Sequence, residues 1–314
     1  MWKGKELYPF RILDSDVLDN VYLNKTLLYS KKILTRMKYS RKKFLKAAGI
    51  GISSAIIAPV HSANSGFSSA KDVNLQFGIA SYTFREFSLE ETIKMTLRLD
   101  IKNIALKSMH MPLESSAEEI KSIAQKVRDA GLNLFGAGVI YMKTKEEVEN
   151  TFAYAEAAGL EMIIGVPNHE LLSLAEEKVK STNVKLAIHN HGPGDELYSS
   201  PDDVYEKIKN LDKRVGMCID IGHVQRIGQD PVPMLKKYKE RLYDMHMKDV
   251  TGSTGDDTPL EIGRGVIDIP AVIKTLKKIN YPGNISFEYE KDGKDPLAGL
   301  AESVGYVSGI IRMT

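Results

Sequence analysis

Four short stretches in the second half of the chain carry side chains able to hold a divalent cation. They are His189-Asn190-His191, Asp220-Ile221-Gly222-His223, His246 followed by Lys248 and Asp249, and Glu288-Tyr289-Glu290. Each lies at or near the end of an apolar run. Alternate residues of a strand share a face, so His189 and His191 point one way, as do Glu288 and Glu290. A carboxylate inside an apolar run is expensive to bury unless it is paired or metal-bound. Imidazole and carboxylate together suit Mn²⁺, Co²⁺, Fe²⁺ or Zn²⁺ better than Ca²⁺, which takes oxygen ligands only. His189, Asp220, His246 and Glu288 are therefore the expected ligands of a divalent metal ion.

Something must bring four distant stretches together. From residue 74 onward, short β-rich apolar runs alternate with longer helical patterns. The expected strands cover 75–80, 102–106, 133–139, 161–166, 185–190, 215–220, 242–247 and 284–289. Helices are expected over 88–99, 115–130, 145–158, 169–181, 201–210, 231–240, 269–279 and 296–311. Ser88 with Glu91, and Ser115 with Glu118, have the spacing of capping boxes. Pro201, Pro231 and Pro270 stand near first helical turns, and Gly131 and Gly159 follow last ones. Eight strand–helix units in about 240 residues predict an α/β fold, a single (β/α)₈ TIM barrel. A doubly wound sheet would call for a Gly-rich turn after the first strand, and none follows residue 80. In a TIM barrel the C-terminal strand ends form one catalytic face. Histidines 110, 169, 189, 191, 223 and 246 all fall at or just beyond such ends.

The motifs LAIHNHG (186–192), GMCIDIGH (216–223), DMHMKDV (244–250), EIGRGVID (261–268) and ISFEYE (285–290) resemble, in this order, those of the xylose isomerase-like TIM barrel superfamily. This is the sugar phosphate isomerase/epimerase family, and the likeness runs over about residues 74–312. The resemblance implies metal ligation by Asp220, His246 and Glu288. His189 stands where many members have a ligating Glu, one of two opposed acid/base carboxylates. His189 is thus expected to ligate, to act as the base, or to leave that place to Glu196. By the same resemblance Glu288 and His189 are the catalytic candidates. Lys107, His110, His191, His223, Lys248 and Arg264 fall where substrate is met or ligands are supported.

The implied chemistry is proton abstraction beside a carbonyl, with the cation stabilising the enediolate oxygen. An isomerase or epimerase of an unphosphorylated keto sugar is expected. A lyase or hydratase on a keto sugar or 3-keto glycoside is the alternative, because the second carboxylate is missing. A phosphodiesterase of the endonuclease IV type would need a three-metal cluster that the first four strands do not supply. A sugar-binding barrel without activity is the remaining rival.

Composition limits the partners. The chain has 314 residues, 43% hydrophobic and 27% charged, with a net charge of +2. Residues 1–63 hold twelve Lys/Arg and four Asp/Glu, which leaves 31 basic against 37 acidic residues in the rest. So acidic a body argues against nucleic acid, whose phosphates call for clustered positive charge. A small carbohydrate is the expected partner, and homo-oligomerisation is left open. The single Cys218 allows no intrachain disulfide. The basic run from Met37 to Lys46, the apolar 47–60 and the small residues up to Ala63 read as a signal peptide over 37–63. It is Tat-like except that Lys42 replaces the second arginine, so the Sec route stays open. Residues 1–36 are read as an extension upstream of a start at Met37, and 64–73 as a linker to the barrel at 74–314. The mature protein is expected in the periplasm without a membrane anchor, since the apolar run is shorter than the roughly 20 residues that span a bilayer.

Overall fold

The computed structural model describes residues 75–314. The expected signal segment, upstream extension and linker lie outside the described residues. Eight parallel strands close into a barrel: β1 (Gln76–Ala80), β2 (Asn103–Leu106), β3 (Asn133–Met142), β4 (Met162–Pro167), β5 (Lys185–His189), β6 (Val215–Asp220), β7 (Leu242–Met247) and β8 (Asn284–Phe287). Neighbours in sequence are neighbours in space, and β8 pairs with β1 to close the ring. The expected (β/α)₈ barrel is therefore the observed fold.

Helices α1 (Leu89–Arg98), α2 (Ala117–Asp129), α3 (Lys145–Ala158), α4 (Leu172–Thr182) and α5 (Pro201–Ile208) return the chain after β1 to β5. Two short helices, α6 (Ile221–Arg226) and α7 (Pro231–Lys237), follow β6; α8 (Ile269–Lys278) follows β7 and α9 (Pro296–Met313) follows β8. Their start signals are local and explicit. Ser88 with Glu91, Thr144 with Glu147 and Ser200 with Asp203 form reciprocal caps. The cap of α2 is Ser116 with Glu119, one residue beyond the expected Ser115 and Glu118. Each cap satisfies donors that the first turn cannot satisfy itself. Pro201, Pro231 and Pro270 sit in first turns, where a missing N–H costs least.

Two departures from the expected elements matter for the mouth of the barrel. The third strand runs on to Met142, which carries Val139 and Tyr141 to the rim. The eighth strand stops at Phe287, so Glu288 and Glu290 lie just past its end. The loop after β7 makes a two-stranded excursion, Asp249–Val250 against Pro259–Leu260. It is gathered by the buried Asp249 carboxylate, which accepts backbone N–H groups from Val250, Gly263, Gly265 and Ile267 at 2.9 to 3.2 Å. No helix of the described residues is long and apolar enough to cross a membrane.

Replacing Ser116 by alanine removes the cap of α2, whose side chain bonds only to Glu119 and is outside the ligand cluster. It should lower unfolding stability by about 1 kcal/mol, read from urea denaturation, and leave metal affinity within twofold of the parent.

Candidate metal centre

Asp220 does two jobs with its two oxygens. It is the last residue of β6 and caps α6: Oδ1 accepts the N–H of His223 at 2.9 Å. Oδ2 is buried and faces the Lys248 ammonium at 2.9 Å, with no backbone donor on it. The Asp220 backbone is held by Asn190, whose side-chain amide accepts the Asp220 N–H at 3.0 Å and donates to the Asp220 carbonyl at 3.3 Å. This exchange ties the end of β6 to the end of β5. It explains why an asparagine separates the two histidines.

His189 Nε2 stands 3.8 Å from Asp220 Oδ2 and 3.1 Å from His246 Nδ1. His246 Nδ1 is also 3.1 Å from Glu288 Oε2 and 3.9 Å from Asp220 Oδ2. One ligand atom from each of His189, Asp220, His246 and Glu288 thus falls within 4.8 Å of the others, and all four residues are buried. The four expected ligands converge. The buried Oδ2 of Asp220, the two imidazole nitrogens facing it and Glu288 Oε2 form a mixed nitrogen and oxygen donor set that suits a first-row divalent ion. Cys218, also buried, can replace the carboxylates in a second grouping with His189 and His246. Burial and the carboxylates around it push its thiol far up, so it is no ready thiolate.

Behind the cluster, Asp244 is fully buried, with Oδ2 3.9 Å from His246 Nε2. It accepts a hydrogen bond from Ser286 Oγ at 2.8 Å. Desolvation holds its carboxyl up at about 6. A carboxylate behind a ligating imidazole fixes which nitrogen faces the ion.

Lys248 enters from beside the cluster. Its Nζ lies 2.9 Å from Asp220 Oδ2 and donates to Glu288 Oε2 at 2.9 Å, with Glu290 Oε1 at 3.3 Å. Gly222 makes room for it, since a Cβ there would come within 2.8 Å of the lysine stem. The electrostatics follow from this crowding. Burial alone would raise the Glu288 carboxyl, yet His246 and Lys248 draw it well below the usual carboxylate range. Asp220 is lowered despite burial by His223, Lys248 and His189. Burial opposes charge on His246, but Glu288 and Asp244 raise it to about 9. Burial, and then His246, keep His189 well below its ordinary value and so neutral. Burial likewise lowers His223 to about 4. Glu290 is raised, chiefly by burial.

Above this floor opens a cavity of about 180 Å³, lined by Tyr82, Lys107, Val139, Tyr141, His189, His191, Glu288 and Glu290. Among the expected substrate contacts, Lys107 and His191 line it. Lys107 donates to the carbonyl of Val139. Burial lowers its pKa. His191 Nδ1 is hydrogen-bonded to the Tyr141 hydroxyl. The structure places the other four outside the cavity lining, two of them against the candidate ligands. His110 is enclosed by Ser81 Oγ at 2.9 Å, Thr92 Oγ1 at 3.0 Å and the carbonyls of Phe84 and Phe87, so it pins the β1–α1 connection. Arg264 is turned to the surface in a two-pronged pair with Glu302 at 2.5 and 2.7 Å. His223 and Lys248 support the ligand carboxylates from behind instead of lining the cavity. Glu196 is exposed on the loop after β5 and is outside the cluster. Tyr82, Val139 and Tyr141 escaped sequence reasoning because aromatic and apolar residues near strand ends look like core. Glu290 was visible as the strand-face partner of Glu288.

The family model described as xylose isomerase-like TIM barrel matches residues 106–308, and the chain belongs to that family. Among curated relatives, the rhizopine catabolism protein MocC of Rhizobium meliloti is 29% identical over 44% of this chain and 50% of its own length. The inosose dehydratase of Clostridium beijerinckii is 28% identical over 40% of this chain and 45% of its own. The matches thus span about half the length of these relatives. The solved structure of an L-ribulose 3-epimerase shares the fold, with a TM-score of 0.62 at 15% identity over 76% of this chain and 95% of that one.

Because His246 is raised to about 9, it carries a proton at neutral pH that must leave before Nδ1 can ligate. Metal uptake at pH 7 should release about one proton. Apparent affinity should therefore rise with pH and level off above about 9. Calorimetry of Mn²⁺ or Zn²⁺ binding in buffers of different ionisation enthalpy checks this, and a heat independent of buffer contradicts it.

Proposed function

We propose that this chain is a divalent-metal-dependent isomerase or epimerase of an unphosphorylated keto sugar. The observation that carries the reading is the convergence of His189, Asp220, His246 and Glu288 at the floor of a cavity large enough for one sugar ring. A bound Mn²⁺, Co²⁺, Fe²⁺ or Zn²⁺ would polarise the carbonyl and favour loss of the neighbouring proton. The residues of the chain do the rest. Glu288 is held ionised and closes the ligand set, while its neighbour Glu290 faces the cavity beside it. These carboxylates take the proton next to the carbonyl. Across the barrel mouth, His191 and Tyr141, coupled by their hydrogen bond, and Lys107 on β2's end meet the sugar hydroxyls. His189 turns Nε2 to the cluster, which supports a ligand role over a base role.

The lyase or dehydratase reading is favoured by one observation: an imidazole occupies the β5 position, so a second carboxylate does not oppose Glu288 from that strand. A proton removed on the β8 side then has no matching carboxylate to return it from the other face. Expulsion of a β-hydroxyl or β-alkoxyl needs no such return. Export, proposed from residues 37–63, and the acidic rim of Glu288 and Glu290 both favour a neutral sugar over a phosphorylated one.

The test is solvent exchange. With the purified metal-loaded protein in D₂O, a panel of keto sugars should include one that takes deuterium beside its carbonyl, and chelation should abolish the exchange. Glu288→Gln should slow it by at least about 10²-fold. Metal-dependent exchange in no member of the panel overturns both the isomerase and the lyase reading. Product spectra separate the two: a stereoisomer or ketose–aldose pair for the first, loss of water or alcohol for the second.

A further inference from the structure

Tyr141 is shared by two cavities. It lines the one above the metal ligands and also a second of about 220 Å³, walled by Leu113 and Glu114 from the loop after β2 and by Glu147, Asn150 and Thr151 from α3. Both cavities lie on the side of the barrel where the strands end, and each has room for about one hexose ring. The extension of β3 to Met142 is what carries Tyr141 between them. The ring is steadied there by the bond from its hydroxyl to His191 Nδ1.

The second cavity is furnished for hydroxyl groups. The exposed side chains of Glu114 and Asn150 make no hydrogen bond or ion pair within the described residues, so their polar atoms are open to a ligand. Glu147 has one carboxylate oxygen committed to the N–H groups of Lys143 and Thr144 at the start of α3, which leaves the other. An aromatic ring offers the C–H face of a pyranose an apolar surface, and carboxylate and amide groups fix its hydroxyls. Two carboxylates without a cation in the lining repel a phosphate or a uronic acid.

We infer that the cavity beyond Tyr141 is a subsite for a neutral glycosyl group, so that the substrate is a glycoside or disaccharide whose keto ring sits over the metal ligands and whose second ring passes Tyr141. The inference rests on the sugar reading above and narrows it. A free monosaccharide would fill the first cavity only.

Non-reacting polyols test it without turnover. The metal-loaded full chain is titrated calorimetrically with sorbitol and with the glycosyl sorbitols maltitol, isomaltitol and lactitol. At least one glycosyl sorbitol should bind about tenfold or more tightly than sorbitol, a difference of about 1.4 kcal/mol. In Asn150→Ala and in Glu114→Ala the ratio should fall towards unity. The two substitutions are exposed, so a folded variant is expected, and circular dichroism verifies it. Equal binding of sorbitol and all three glycosyl sorbitols overturns the subsite and leaves the sugar reading standing. So does a ratio that survives both substitutions. Binding of no polyol overturns the sugar reading and the subsite with it.

Discussion

Asp220 and Glu288 are carboxylates that the fold has taken almost wholly out of water, at the centre of a barrel mouth. Ionised groups in that position are tolerated only when other charges or a cation meet them. Here His246 and Lys248 meet them, and Nε2 of His189 crowds in from β5, the neighbour of the Asp220 strand. Most other features of this end of the molecule serve that concentration of charge. Asn190 locks the strand that presents Asp220, Gly222 thins the backbone where the lysine stem passes, and Asp244 backs the imidazole of His246. The same crowding sets the protonation states, with one imidazole held cationic and its neighbour neutral.

The barrel was legible because its rules are local. Alternation of apolar runs with capped helical stretches is written in each unit separately, and a parallel barrel then has little freedom in topology. The candidate ligands were legible for a related reason. Polar residues capable of ligation, standing at the ends of apolar strands, are too costly to bury idly, and the barrel sends all strand ends to one face. His189, Asp220, His246 and Glu288 meet as those two facts together require.

What escaped the sequence depends on contacts between units. Nothing near His110 says that two hydroxyls and two carbonyls will enclose its ring, and nothing near Arg264 names Glu302, 38 residues on, as its partner. Asp244 reads as an ordinary polar residue until the register of β7 and β8 sets it beside Ser286 and behind His246. Tyr141 was hidden by a boundary: the expected strand ended at 139, whereas pairing with β4 continues to Met142. Three residues of extra strand turn an apparently buried tyrosine into a wall between two cavities.

The Asp249 clasp separates two properties that loops usually share. Four backbone amides on either side of the excursion between residues 250 and 263 converge on one side chain rooted in the barrel. The anchorage of this loop is therefore independent of what hangs from it. Residues 251–258 can lengthen, shorten or change character while both feet remain planted. Relatives or laboratory variants could alter this part of the rim without rebuilding the floor beneath it.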